Sequence, residues 1–313
     1  MTRIPSLAGA NRWLNSEPLS PEGLRGHVVV VNFWTFTCVN WLRTAPYIRA
    51  WAQEYKELGL VTIGVHTPEF DVEHDFGNVE RMVKQLRVDY PVAIDNDYAV
   101  WGAFANQAWP ALYLADRKGA LRYQHFGEGR YEESERAIQD LLGVEDDLVA
   151  VEGLGPEAPA DWDNVKSPET YVGYARAEGF ASPGGVAVGE RHAYSLPDEL
   201  GLNRWALAGE WTIRSQPAVL HEAGGRLTYR FHARDLNLVL APPEGGAQIP
   251  FRVVLDGEPP GAAHGGDTDE QGKGSLSEPR LYQLVRQSGR VADRSFEITF
   301  LEPGAQAYVF TFG

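Results

Sequence analysis

The sequence predicts two domains of different class, an α/β domain followed by an all-β sandwich of jelly-roll type. Over residues 28–142, short apolar runs alternate with stretches of helical period, as expected where helices cover both faces of a sheet. Residues 143–163 then lose all periodicity and fill with Gly, Pro, Ala and acidic side chains, the composition of a linker. From Gly184 onward the apolar residues alternate in short stretches separated by Gly and Pro turns, which is the spacing of a sandwich. At 313 residues the chain is also longer than one hydrophobic core usually grows. The expected division is 1–145 for the α/β domain, 146–165 for the linker and 166–313 for the sandwich.

Each element follows from its pattern. The run VVVVNFW at 28–34 is apolar on both faces and reads as a buried strand. Helical period follows over 39–58, then a strand over 60–66, a helix over 79–86, a short strand over 91–94 and a short helix over 98–104. Residues 111–116 and 121–126 form a hairpin across Arg117-Lys118-Gly119, and a helix over 131–142 closes the domain. In the second domain, strands are expected at 226–233, 236–240, 251–255, 281–285, 295–300 and 307–312, with Asp256-Gly257 and Pro303-Gly304 as turns.

Composition excludes several classes of function. Lys+Arg 28 against Asp+Glu 43 gives a net charge of −15, a surface that repels phosphate backbones and anionic headgroups, so no nucleic acid partner is expected. No apolar run reaches membrane-spanning length, and the opening residues MTRIPSLAGANR lack the apolar stretch of a signal peptide. The chain as it stands is therefore expected in the cytoplasm without membrane insertion; as part of a longer precursor it would equally suit the extracytoplasmic side. One cysteine makes no internal disulfide, so cysteine usage does not argue for export. There is no His-Glu-x-x-His, no cysteine cluster, no glycine-rich phosphate loop and no Gly-x-Ser-x-Gly elbow, so neither a metal nor a cofactor is expected.

Cys38 is that single cysteine, and it stands where the strand at 28–34 runs into the helix at 39–58. A thiol at a helix N-terminus meets unpaired backbone N–H groups and the positive end of the helix dipole, both of which favour thiolate. The bland alternative is a small buried hydrophobe, the commonest fate of a lone cysteine. A dithiol of the Cys-x-x-Cys kind would need a second cysteine at position 41, where Trp41 stands. Trp41 is therefore either a packing residue that replaced a resolving sulfur or an apolar plate that shields a mixed disulfide. Arg43 is close enough along the helix to lower the thiol pKa by its charge, although an exposed helix residue is the simpler reading. Without a resolving cysteine, a mixed disulfide or a sulfenic acid on Cys38 must be released by an external thiol.

The stretch TFTCVNWLRTAP at 35–46, with the aromatic pair Phe33-Trp34 before it, Pro46 within it and Trp109-Pro110 ahead of ALYLAD at 111–116, resembles the thioredoxin superfamily. The segments GVHTPEF at 64–70, YPVAIDN at 90–96, ANQAWP at 105–110 and GEGRYEESE at 127–135 are similar to the soluble C-terminal part of DipZ-type proteins. Those are bacterial membrane thiol–disulfide proteins with an extracytoplasmic thioredoxin-like domain. The likeness continues through SPETYVGY at 167–174 to AYVFTFG at 307–313, where such proteins carry a β-sandwich resembling carbohydrate-binding modules. The resemblance implies a thioredoxin-like first domain, a cis bond at Pro110, and a loop of Trp109 and Pro110 that faces substrate beside Cys38. It also implies a peroxidase alternative, with Thr35 three residues before the thiol, although the proline of that pattern is missing. This chain departs from the family at the second cysteine, and no part of it corresponds to the membrane portion.

Several further residues are weighed. His66 and Glu69 follow the second strand at the carboxyl end, where open α/β sheets place sites. Asp267-Thr-Asp-Glu270 has hard-cation donors, and Trp205, Trp211, Tyr229 and Tyr282 would serve either as a platform for a sugar ring or as core. Two functions remain open. One is a thiol-dependent redox protein working through Cys38, with an external thiol or protein disulfide as partner. The other is a redox-inactive thioredoxin-like scaffold whose sandwich binds a polypeptide or a glycan.

Overall fold

The structure is a computed structural model that describes residues 3–243 and 245–313. It divides into two compact units, Met1–Ala158 and Pro159–Gly313. Among the described residues, no helix is long and apolar enough to cross a membrane.

The first unit is a six-stranded sheet in the order β1-β4-β3-β2-β5-β6. Its strands are β1 (Arg12–Leu14), β2 (Val28–Trp34), β3 (Leu60–His66), β4 (Val92–Ile94), β5 (Ala111–Ala115) and β6 (Leu121–Phe126). Helices α1 (Val39–Glu54), α2 (Phe76–Gln85) and α3 (Ala99–Ala103) lie between successive strands, and α4 (Tyr131–Leu142) follows β6. β2 lies between β3, its parallel partner, and β5, its antiparallel one, which is why every residue of it is buried. Its side chains alternate as a strand must. Val29, Val31 and Phe33 join Ile63, Val65, Val100 and Phe104 in one core, while Asn32 and Trp34 meet Trp41 of α1 on the other face.

The expected elements are present, with shifted ends. Helical period to residue 58 gives way at Tyr55 to a 3-10 turn, Lys56–Leu58, which Gly59 ends at φ +97°. α2 starts earlier than expected because Asp75 caps it, its Oδ1 accepting from Asn78 N–H at 2.8 Å. β1 was not expected from its three residues; it pairs antiparallel with β4.

The acidic, proline-containing segment read as a linker is hydrogen bonded to the first unit as far as Glu157. Glu135 of α4, itself buried, accepts from Trp51 Nε1 (2.9 Å), Tyr55 hydroxyl (2.7 Å) and Val149 N–H (2.8 Å). Arg49 of α1 forks onto both oxygens of Glu157 at 2.9 and 3.1 Å. Period-based reading misses such a segment because its order comes from side-chain bonds to helices far away in sequence.

The second unit is all-β and antiparallel. Its strands are β7 (Thr170–Tyr171), β8 (Arg191–Tyr194), β9 (Arg204–Ile213), β10 (Ala218–Leu220), β11 (Arg226–Phe231), β12 (Asp235–Ala241), β13 (Ile249–Leu255), β14 (Lys273–Leu276), β15 (Arg280–Arg286), β16 (Arg294–Phe300) and β17 (Gln306–Phe312). They form one curled sheet, β14-β13-β16-β11-β9-β10-β17-β12-β15, with β7 on β17 and β8 on β9. The curl is made in β9: residues 204–208 pair with β11, and residues 209–212 pair with β8. Gly209 sits at that change of partner with φ +95°, a conformation that glycine adopts without cost.

The curled sheet encloses a core in which Trp205, Trp211, Tyr229 and Tyr282 are each 0% exposed. These four side chains therefore offer no flat platform to a sugar ring; packing against the inner faces holds them. β7, β8, β9, β10 and β14 lie outside the strands expected from sequence.

Candidate active site

Cys38 is the N-cap of α1, with extended backbone at φ −72° and ψ 110°. Its N–H reaches back to Thr35 O at 3.3 Å and its carbonyl accepts from Leu42 N–H at 2.9 Å, so the thiol is carried on a tight turn between β2 and the helix. No side chain caps the first turn, which leaves its N–H groups directed toward the cysteine end of the helix. The thiol is partly exposed, and Sγ lies 3.8 Å from the carbonyl oxygen of Trp109. The Trp109-Pro110 peptide bond is cis. The expected trio Cys38, Trp109 and Pro110 is thus brought together.

The Trp109 loop is held from several sides. Its indole donates to Thr67 O at 3.0 Å and packs on Trp101 with centroids 4.4 Å apart. Asp95, 0% exposed, accepts from Val100 N–H (2.9 Å), Trp101 N–H (2.7 Å) and the Thr67 hydroxyl (3.3 Å), which ties the loop after β3 to the start of α3. Burial pushes the Asp95 carboxyl above the usual range, against the pull of those donors.

The near-site residues take different places from those expected. Trp41 is 0% exposed, stacked on Trp34 at 4.2 Å, and its indole donates to Asn32 Oδ1 at 2.8 Å. It is a packing residue, not an apolar plate open to substrate. Asn32 in turn donates to Ala111 O at 3.1 Å, next to Pro110, so the residue in place of a second cysteine is linked to the strand that carries the Trp109 loop. Arg43 is not an exposed helix residue: it is 3% exposed and pairs with Glu128 Oε1 at 2.9 Å. Thr35 is buried, its hydroxyl 3.5 Å from His66 Nε2.

Two buried ionisable groups lie behind the turn. His66 is held neutral, its pKa lowered to about 3 mainly by burial, with Phe36 stacked on its ring at 5.7 Å. Glu73 is 0% exposed and accepts from the N–H and hydroxyl of Thr37 at 3.2 and 2.6 Å and from the N–H groups of Glu69 and Phe70 at 2.6 and 2.9 Å. Burial raises its pKa, opposed by the Thr35 and Thr37 hydroxyls. Asn32, Glu73 and Asp95 were not singled out in the sequence. Asn32 did carry a signal: a polar side chain inside an apolar strand needs a buried partner.

Residues 3–142 match the family model for Redoxin, and residues 167–313 match that described as Thioredoxin like C-terminal domain. The chain belongs to the thioredoxin-like superfamily. Protein DipZ of Mycobacterium bovis is 33% identical over 317 residues, covering 99% of this chain and 42% of that protein. The chain thus spans less than half the length of that curated relative. Thiol-disulfide oxidoreductase YkuV of Bacillus subtilis is 25% identical, over 44% of this chain and 93% of that one. A solution structure of a thioredoxin-like protein in the oxidized form is 27% identical and covers 46% of this chain and 97% of that one, at a TM-score of 0.42. By the family model, the first unit is a redoxin domain.

No group of three or more His, Cys, Asp or Glu able to hold a metal ion occurs among the described residues. The acidic loop of the second domain is occupied with its own bonds. Asp267 accepts from Arg280 and from Gln283 N–H, both at 2.7 Å, and Asp269 accepts from Gln271 and Lys273 N–H at 2.9 and 2.8 Å.

Proposed function

We propose that the redoxin domain carries out thiol–disulfide exchange through Cys38 alone. The observation that supports this best is the partly exposed thiol at the N-terminus of the 16-residue α1, 3.8 Å from the Trp109 carbonyl. The unpaired amides and dipole of that helix end favour thiolate, the attacking form. The thiolate attacks one sulfur of a partner disulfide; that S–S bond breaks as the new one forms, and the other sulfur leaves as a thiolate that takes a proton from water. An external thiolate then attacks the mixed disulfide and a second completes release. Two external thiols end as one disulfide, and the partner disulfide ends as two thiols. Trp109 and Pro110 form the loop against which the partner lies.

The buried Trp41–Asn32 pair favours a second reading, a redox-inactive scaffold that binds a polypeptide or glycan, because the position of a resolving cysteine is filled and hydrogen bonded. One experiment separates the two. The native protein and its Cys38→Ser variant are mixed with a small aromatic disulfide whose thiolate is coloured, followed by intact mass and then by added external thiol. Exchange through Cys38 predicts one adduct, one equivalent of thiolate and thiol-dependent turnover, all lost in Cys38→Ser. Labelling only after unfolding would sink the redox reading in favour of the scaffold.

A further inference from the structure

We propose that Glu73 is a positioning residue for Cys38, closing the turn at 35–38 onto the turn at 69–73 through one buried carboxylate. The proposal rests on the reading of Cys38 as a nucleophile. Oε1 takes both the N–H and the hydroxyl of Thr37, the residue directly before the thiol, at 3.2 and 2.6 Å. Oε2 takes the N–H groups of Glu69 and Phe70 at 2.6 and 2.9 Å. These four donors, together with the nearby Thr35 hydroxyl, draw on both oxygens of a single carboxylate, an acceptor set that no amide or hydroxyl side chain supplies.

The cost of the arrangement argues for a specific task. Withdrawing a carboxylate wholly from water is expensive, and an apolar residue would serve packing alone. What an apolar residue would not do is satisfy Thr37 N–H, which precedes the helix and has no acceptor within it. The turn is also fixed at its other residues. Cys38 N–H bonds to Thr35 O at 3.3 Å, and Phe36 lies buried on the His66 ring. Thr37 is the remaining link, and rotation there would turn the Cys38 side chain away from the Trp109 carbonyl.

Charge and position act in opposite directions. A carboxylate near a thiolate disfavours it, whereas a fixed turn keeps the thiol at the helix end that favours it. The test uses that difference in sign. Cys38 alkylation by iodoacetamide is measured against pH in the full chain for wild type, Glu73→Gln, Thr37→Val and Thr37→Ser, together with amide hydrogen exchange of residues 35–38 and 69–73. Loss of one buried bond predicts exchange faster by about tenfold and alkylation at neutral pH slower by about tenfold in Glu73→Gln and Thr37→Val. Thr37→Ser, which keeps the hydroxyl, should restore both. Faster alkylation with unchanged exchange in Glu73→Gln would mean that Glu73 acts only as a charge and would overturn the proposal, as would no change in either quantity. A wild-type thiol that labels only after unfolding would sink the function of Cys38; the exchange rates would still decide whether Glu73 closes the two turns.

Discussion

The two domains bury different things. Around Cys38 the redoxin domain buries Asn32, Thr35, His66, Glu73 and Asp95, each in contact with a loop or helix end near the thiol. The second domain fills its centre with Trp205, Trp211, Tyr229, Tyr282 and a set of phenylalanines, and its buried carboxylate, Asp235, is neutralised by Arg234 and Arg286 at 2.6 Å each. Apolar packing is the less expensive way to stabilise a fold, so buried polar groups at one end of a sheet mark where geometry is being held for another purpose. In the redoxin domain such groups gather behind the turn that carries Cys38, whereas Asp235 of the second domain is held by two arginines.

Truncating one large aromatic in each domain is the most forceful way to break this comparison. Trp205→Ala and Trp41→Ala each remove a fully buried indole and should cost about 3–5 kcal/mol of stability in denaturant unfolding. Their effects on the thiol should differ. Trp205→Ala is expected to leave the alkylation rate of Cys38 unchanged under native conditions. Trp41→Ala also unties Asn32 from α1 and should change that rate. Equal effects on the thiol would show that the two cores do not differ in this respect.

Much of this was legible in the sequence, and the exceptions share a cause. β2 and β3 announce themselves as continuous apolar runs, and Cys38 as the point where strand period turns to helical period. β1 and β10 are three residues each and become strands only through their partners. The bend at Gly209 depends on which neighbours β9 pairs with, and that is not written in β9 itself. The same holds for the site. Glu73 and Thr37 are joined by a 2.6 Å bond across 36 positions, and no local pattern signals such a partner. Arg43 looked exposed because its ion-pair partner, Glu128, lies 85 positions away.

His66 gives a pH test, and the second domain has a counterpart in His221, whose pKa burial and the nearby Arg191 and Arg214 also lower. Its folded pKa is depressed to about 3 from 6.5, so between those values the unfolded chain binds a proton that the folded one refuses. Stability contributed by the neutral ring is full above about pH 6.5 and falls as the pH drops, by about 1.4 kcal/mol per unit. Glu73 and Asp95, raised by burial, act the other way above their unfolded values. The difference between wild type and His66→Gln isolates the histidine. Urea unfolding at pH 7 and pH 5 should show the wild type losing about 2 kcal/mol more than the variant over that interval. A parallel loss in both would place the pH dependence elsewhere.

The smallest effect sharpens the comparison most, because each variant removes one partner of a single buried hydrogen bond. Tyr229 shares a 2.9 Å hydrogen bond with Thr170 and so ties β7 to β11, inside the aromatic core of the second domain. Tyr229→Phe should cost about 1 kcal/mol and leave Cys38 untouched. Trp41→Phe is its counterpart in the redoxin domain: a six-membered ring remains, but the five-membered ring is lost and Asn32 Oδ1 loses its 2.8 Å donor while staying buried. The stability cost should again be about 1–3 kcal/mol. If buried polar bonds near the thiol hold its geometry, the second variant alone will alter the pH profile of alkylation. Should both leave that profile unchanged, the Asn32–Trp41 bond does no more than satisfy a polar strand residue.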